Sequence, residues 1–324
     1  MDKLKVAIIG FGKMGLLHSC VLGTIPTVEV VAFCEKNRML RRLAKKLVKN
    51  SILVDDVEKL NDLPLDCAFV TAPIPAHFPI VKTLYSKNIA NNIFVEKTLA
   101  SSWSQANELC ALTKESGVSM VGYMKRFSST FTKAKNLLSE NVLGDLISFK
   151  GTAFSSDFAA YGKSLKTISR GGVLSDLGSH IIDLALWFFG DLNVEKARIK
   201  SVIGENSEDQ VNFTVSKSGL SGEFDISWCK DNYRMPNFSL TVHGTKGVLT
   251  VSDYNVVLEP NGEKQVQWYR PELNDNVPFL LGDPEYYRED EYFIRSILDG
   301  GKAEPSFNTA SKVDQIIEQV KHEA

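Results

Sequence analysis

The chain has 324 residues, enough for two domains of ordinary size, each with its own core. Hydrophobic residues make up 44% and charged residues 23%, and a net charge of -2 with no long basic run argues against nucleic acid as the main partner. No apolar stretch reaches the ~18 residues that span a bilayer, and the N-terminus runs directly into a strand instead of a signal peptide, so a cytoplasmic protein is expected.

Val6 to Ile9 read as a fully buried parallel strand, and Gly10, Gly12 and Gly15 follow it in the spacing GxGxxG. A helix from near Lys13 would point its free N–H groups and the positive end of its dipole at a phosphate. The first glycine lets the chain turn sharply, the second lets backbone approach a pyrophosphate, and the third lets helix and strand pack closely. Gly10, Phe11, Gly12, Lys13, Met14 and Gly15 are therefore the candidate dinucleotide cradle. Val28 to Phe33 is a second buried strand ending in Cys34-Glu35, at the place where this fold holds the adenosine ribose. A carboxylate there accepts from the ribose hydroxyls and repels a 2′-phosphate, so Glu35 favours NAD over NADP. Lys36 and Arg38 soften that preference and leave NADP open.

Asn37 to Lys49 has helical periodicity with a basic outer face, and Ile52 to Val54 is a short strand. Asp66 to Thr71 is another strand, ending in Thr71-Ala72-Pro73-Ile74-Pro75, where two close prolines demand a loop at the ligand edge of the sheet. Thr71, Ala72 and Pro73 are candidate cofactor contacts, and His77, which opens the next helix, is a candidate neighbour of the nicotinamide. Asn92 to Val95 gives a strand running into Glu96-Lys97-Thr98, both Glu96 and Lys97 lying at that same edge. As a cation, Lys97 can polarise or protonate a substrate oxygen. Ser101 or Ser102 caps a helix over Trp103 to Ser116, ended by Gly117, and Val118 to Gly122 is a sixth strand. Strand and helix alternate throughout, which predicts a parallel, doubly wound sheet over residues 1–124.

Residues 125–324 read differently. A helix from Phe131 to Glu140 and a strand from Leu146 to Phe154 are followed by strands around 194–203, 211–216, 222–228, 238–243 and 248–252, joined by short turns. That order predicts an α+β domain with a largely antiparallel sheet. Between them, Gly172 to Phe189 reads as a helix in which Asp176, His180 and Asp183 share one face beside an apolar stripe. An aspartate one turn before a histidine can orient the imidazole and stabilise its cation, the logic of an acid/base dyad. Asp183 reads as structural. Tyr123 and Arg126, at the crossover between the domains, are candidate substrate contacts. Asp157, Tyr161, Lys163 and Arg170, in a loop before the helix, are weaker ones. The closing helices, about 285–298 and 309–321, look structural. Cys20, Cys34, Cys67, Cys110 and Cys229 are odd in number and form no CxxC pair, so no disulfide framework or metal cluster is expected.

GFGKMGLLH with His18, TAPIPAH, VEKTLA, GYMKRF, GGVLSDLGSHIID, HGTKGVL and EYYREDEYFIRSILDG occur in this order. Together they resemble the glucose-fructose oxidoreductase, inositol dehydrogenase and MocA group of nicotinamide-dependent oxidoreductases, over nearly the whole chain. The resemblance implies an N-terminal Rossmann domain and a C-terminal domain with an open-faced sheet through which a homodimer or homotetramer forms. Phe213, Phe224 and Trp228 fit such a face or an ordinary core. It also implies that Lys97 contacts substrate and nicotinamide ribose, that Asp176 and His180 are the catalytic pair, and that His180 is the general acid/base. The family usually has proline after this lysine; here Thr98 stands there, leaving the isomer of the Lys97-Thr98 bond open. The expected activity is hydride transfer between nicotinamide and a secondary alcohol or ketone of a sugar, polyol or sugar derivative. Two other readings are a glycosidase that retains NAD and oxidises transiently, and a nucleotide-binding regulator without turnover.

Overall fold

The computed structural model describes residues 3–47, 51–156, 171–202, 208–278 and 282–324. Contacts divide the chain into two compact units, Met1–Tyr123 with Tyr286–Asp314, and Met124–Glu285 with Gln315–Ala324.

In the first unit, β1 (Leu4–Ile9), β2 (Val28–Cys34), β3 (Ile52–Val54), β4 (Cys67–Val70), β5 (Asn92–Glu96) and β6 (Ser119–Gly122) form one sheet in the order β3-β2-β1-β4-β5-β6. Every pairing is parallel. Strands buried on both faces must be apolar throughout, and Val6 to Ile9 and Cys67 to Val70 are buried without a break. Helices α1 (Lys13–Leu22), α2 (Arg38–Leu47), α3 (His77–Ser86) and α4 (Trp103–Leu112) alternate with the strands. Phe94 stacks on Phe69 at 4.7 Å, and Phe293 from the helix Glu285–Leu298 packs edge-on to both. That late helix therefore completes the core of the first sheet. Strand order reverses between β1 and β4, and such a switch point is where open α/β sheets bind ligands, beyond the strands' carboxyl ends.

Two local differences from expectation have plain causes. The loop after β4 holds a short 3₁₀ turn, Ile74–Ala76, because proline is tolerated in the first turn of a helix, where its missing N–H has no partner to lose. Helix α4 stops at Leu112, since Thr113 turns to extended backbone (ψ 139°) before Gly117 is reached.

In the second unit, β7 (Leu146–Phe154), β8 (Asn193–Lys200), β9 (Gln210–Lys217), β10 (Leu220–Ser227), β11 (Asn237–Gly244), β12 (Gly247–Ser252), β13 (Asn255–Pro260) and β14 (Val266–Tyr269) form an eight-stranded sheet in the order β14-β13-β12-β11-β7-β10-β9-β8. Pairings are antiparallel except β7 with β10. Side chains alternate across it, so Phe149, Phe213, Phe224, Leu240 and Val251 share a buried face while Ser148, Thr214, Thr241 and Thr250 lie on the other. Phe213 stacks on Phe224 at 4.4 Å, and Trp228 is buried with its indole N–H donated to Asp209 at 2.8 Å. These three aromatics belong to the core. Helix α5 (Ser129–Ser139) and helix α6 (Ser179–Phe189) belong to this unit, while the helix Phe307–Glu323 is divided between the two units after Asp314. Helix α6 lies on the buried face. A side chain at Gly151 of β7 would stand 3.0 Å from Ile181, and one at Gly178 would stand 3.0 Å from Ile226.

Candidate active site

The two units carry separate parts of the candidate machinery, beginning with the glycine turn of the first. Gly10 has φ +100°, and a Cβ there would lie 2.7 Å from the Ala72 nitrogen. A Cβ at Gly15 would lie 1.9 Å from the Gly10 carbonyl oxygen. Both glycines are thus demanded by the protein's own packing. Gly12 is not: it is exposed, its φ is -79°, and a Cβ there would meet no heavy atom within 4 Å. Its glycine makes sense as a place where a ligand comes close to backbone, the role of the middle glycine in phosphate recognition. Gly12 also precedes α1, whose first turn holds no acidic residue to compete with a phosphate. Lys13 is exposed beside it and Met14 half-buried.

Thr71 fixes the neighbouring strand end by donating its hydroxyl to the Gly10 carbonyl at 2.7 Å. Pro73 precedes the short 3₁₀ turn. Glu35 lies at the end of β2 as expected, but its carboxylate already serves the loop. Oε2 accepts the Phe11 N–H at 2.7 Å and Oε1 the Asn37 N–H at 2.6 Å. Each carboxylate oxygen can accept a second hydrogen bond, so the ribose role stays compatible with this one. Arg38 opens α2 as an exposed side chain, while Arg41 donates to the Glu35 carbonyl at 2.7 Å.

Lys97 leaves β5 half-buried, and the Lys97-Thr98 bond is cis. Its neighbours on each side are held by histidines with no exposed surface. Glu96 accepts from His18 at 2.9 Å and from the Lys97 N–H at 3.1 Å. His77 lies 2.8 Å from the Thr98 carbonyl through Nδ1 and 2.7 Å from the Ala72 carbonyl through Nε2. The expectation that His77 faces the nicotinamide meets a ring buried among backbone carbonyls. Burial holds its pKa below the usual value, against the pull of the carbonyls and of Glu96.

The second unit carries the proposed acid/base pair. Leu174–Gly178 winds as a π-helical turn and α6 follows it without interruption. Widened i→i+5 turns recur at functional sites, and this one contains Asp176. The four-residue spacing to His180 therefore does not stack as it would in a regular α-helix. Glu208 fixes the start of the turn by accepting the Leu174 N–H at 2.7 Å. His180 is 9% exposed, and its ring meets Phe238 of β11 edge-on at 5.3 Å. Asp183, fully buried, accepts a two-pronged hydrogen bond from Arg126, Nε to Oδ2 at 2.8 Å and Nη2 to Oδ1 at 2.6 Å. At the other end of α6, Lys135 donates to the Trp187 carbonyl at 2.7 Å and Lys217 to that of Phe189. Arg126 thus acts inside the protein, anchoring the helix that carries His180. Lys125 beside it donates to Asp253 at 2.6 Å and lies over Phe238.

Tyr123, the other candidate substrate contact, is fully buried. Asp157, Tyr161, Lys163 and Arg170 lie outside the described residues. In the sequence His18 stands only as part of a motif, and no local spacing marks Asp290 or Glu208. An acid on the apolar stripe of the helix Glu285–Leu298 was the available signal for Asp290. Among the described residues no helix is long and apolar enough to cross a membrane, and no group of three His, Cys, Asp or Glu side chains is arranged to hold a metal ion.

Residues 4–123 match the family model described as an oxidoreductase family with an NAD-binding Rossmann fold, and residues 131–250 match that of the GFO/IDH/MocA C-terminal domain. The chain is 28% identical over 206 residues to scyllo-inositol 2-dehydrogenase (NAD(+)) of Bacillus subtilis, covering 62% of this chain and 57% of that protein. It is 23% identical over 331 residues to D-apiose dehydrogenase of Paraburkholderia graminis, covering 98% and 87%. The first of these alignments spans little more than half of the relative's length. Among solved structures, levoglucosan dehydrogenase in complex with NADH and levoglucosan matches with a TM-score of 0.90 at 21% identity, over 100% of this chain and 97% of that one. At that identity the likeness is one of fold.

Proposed function

Because the chain belongs to the GFO/IDH/MocA family of NAD-binding oxidoreductases, we propose that it interconverts a secondary alcohol and its ketone in a sugar, polyol or sugar derivative. The observation that carries the reading is the contrast at the glycine turn. Two of the glycines are pressed against protein and the middle one is open to a ligand, at the switch point of a parallel sheet. Relatives named as dehydrogenases of an inositol and of a sugar support the substrate class.

NAD, when bound, supplies the hydride acceptor, and NADP is not excluded. Phe11, Lys13, Met14 and the three glycines would hold its phosphates, and Glu35 keeps that loop on the end of β2. In the oxidation direction His180 takes the hydroxyl proton, Asp176 stabilises the resulting imidazolium, and Lys97 holds the oxygen as the carbonyl forms.

Nicotinamide absorbance is followed with purified protein, with NAD and NADP in parallel, against scyllo-inositol, levoglucosan, D-apiose, free hexoses and nucleotide-linked sugars. Reduction by one substrate class is the expected result. Lys97→Ala or His180→Ala then nearly abolishes turnover while leaving NADH binding mostly intact. Full activity in either variant overturns the assignment. Absence of reduction across the panel, with NAD carried through purification, moves the reading to a cofactor-retaining glycosidase or a nucleotide-binding regulator without turnover.

A further inference from the structure

One line of ionisable groups behind Lys97 is used by nothing in the reaction as proposed. Asp290, on the helix Glu285–Leu298, is fully buried and places its two carboxylate oxygens 2.8 and 3.0 Å from His18 Nδ1. His18, fully buried on α1, places Nε2 2.9 Å from Glu96 Oε1. Glu96 ends β5 with 8% of its surface exposed, and its other oxygen accepts the backbone N–H of Lys97. Three elements of one unit thus meet in an acid, base, acid sequence that ends on the lysine.

With both acids ionised, the ring between them satisfies both only by donating from both nitrogens, as the imidazolium. Burial raises the Asp290 carboxyl pKa, and the charge and hydrogen bond of His18 oppose that rise. Burial alone would push the His18 pKa down, but the charges and hydrogen bonds of Asp290 and Glu96 carry it well above the usual value. The remaining ring neighbours are Phe94 at 5.2 Å, Phe69 at 5.8 Å and Tyr286 at 6.0 Å, which offer no competing charge.

Stability alone does not account for such a line, since a buried ionic cluster is commonly no more stable than well-packed apolar side chains of similar volume. What it supplies is direction. A carboxylate clamped through one oxygen by a cation on a packed helix presents its other oxygen in a fixed position, and here that oxygen holds Lys97. On the far side of the same turn His77 holds the Thr98 carbonyl.

We propose that Asp290 and His18 are positioning residues that lock Glu96 onto the Lys97 backbone and so fix the point from which the Lys97 side chain reaches substrate. The proposal rests on the reading of Lys97 as the residue that holds the substrate oxygen. It assigns no proton transfer to His18.

The test uses the full chain with its lysines reductively labelled as ¹³C-dimethyl-lysine, the Lys97 signal being identified by its loss in Lys97→Arg. In Asp290→Asn, which keeps the side chain's size, the Lys97 signal is expected to shift or broaden while other lysine signals stay in place. His18→Gln gives the same pattern. A Lys97 signal unchanged in both variants overturns the proposal, as does a general displacement of all signals, which marks a purely structural role. This readout needs no substrate. On a substrate found by the absorbance assay, Asp290→Asn lowers kcat on the order of tenfold to a hundredfold with NADH affinity held within about twofold. In a Lys97→Ala background it has no further effect. A loss that instead multiplies with that of Lys97→Ala refutes action through the lysine. Full activity of Lys97→Ala alone removes the role given to Lys97, and leaves the labelling result standing on the relay itself.

Discussion

The pair formed by Arg126 and Asp183 allows a quantitative test of how the helix bearing His180 is held. Both groups are buried, at 8% and 0% exposure, and joined by two short charge-assisted hydrogen bonds. In Asp183→Asn one carbonyl oxygen remains for two guanidinium N–H groups, the amide N–H₂ faces a donor, and the guanidinium loses its counter-charge in a dry site. Breaking a buried pair from one side costs about 3–5 kcal/mol, a large part of the ~5–15 kcal/mol by which domains are stable. A second cation aggravates the loss. Lys135 lies 5.9 Å from the Trp187 ring, as does Arg126, and its pKa is lowered by burial first and by the Arg126 charge second. The paired replacement Arg126→Met with Asp183→Leu removes both charges and relieves Lys135, so it should return to within about 1 kcal/mol of the parent. Urea unfolding is followed by tryptophan fluorescence in a Trp103→Phe background, which leaves only the tryptophans of the second unit, Trp187, Trp228 and Trp268. A loss under about 1 kcal/mol for Asp183→Asn, or a double variant as unstable as the sum of its parts, refutes the reasoning.

Two further outcomes follow from local geometry. Gly15→Ala places a methyl 1.9 Å from the Gly10 carbonyl and must move backbone, at a cost of about 1–3 kcal/mol. Gly12→Ala meets nothing, so its stability should stay within about 1 kcal/mol of the parent, while NADH affinity by fluorescence titration falls at least tenfold. Equal affinity for NADH in Gly12→Ala would remove the phosphate role of that turn. The two histidines with no exposed surface, His18 and His77, should tilt stability with pH in opposite directions. His18, with its folded pKa raised, contributes fully below the unfolded value of about 6.5, and that contribution is lost as pH rises through the folded value. His77, with its folded pKa lowered, stays neutral when folded, so stability drains as pH falls below about 6.5 toward its folded value. Urea midpoints at stepped pH should show the alkaline slope flattened in His18→Gln and the acid slope flattened in His77→Gln. Unchanged slopes would contradict both assignments.

What the sequence made legible follows from the range of the interactions involved. The glycine turn could be read because one ligand's chemistry compresses its requirements into six consecutive residues, and the apolar runs of β1 and β4 could be read because burial on both faces leaves no polar position. Strands β13 and β14, at one end of the second sheet, carry no such signal: Val256 is the one fully buried residue across both, so no alternation stands out. The π-helical turn is hidden for a different reason, since periodicity counts residues and assumes the winding.

The supports of the site were the least legible part, and their arrangement explains why. His18 and Asp290 are separated by 272 positions and Arg126 and Asp183 by 57, so no local spacing couples them. Each presents instead as a local inconsistency: Asp290 takes an apolar place on its helix, and Asp183 stands in the otherwise apolar run from Ile181 to Phe189. A charge placed where a hydrophobe would serve stability as well implies a partner, and the partner implies a direction. In this chain the two directions lead to Lys97 and to the helix of His180, the residues on which the proposed chemistry turns.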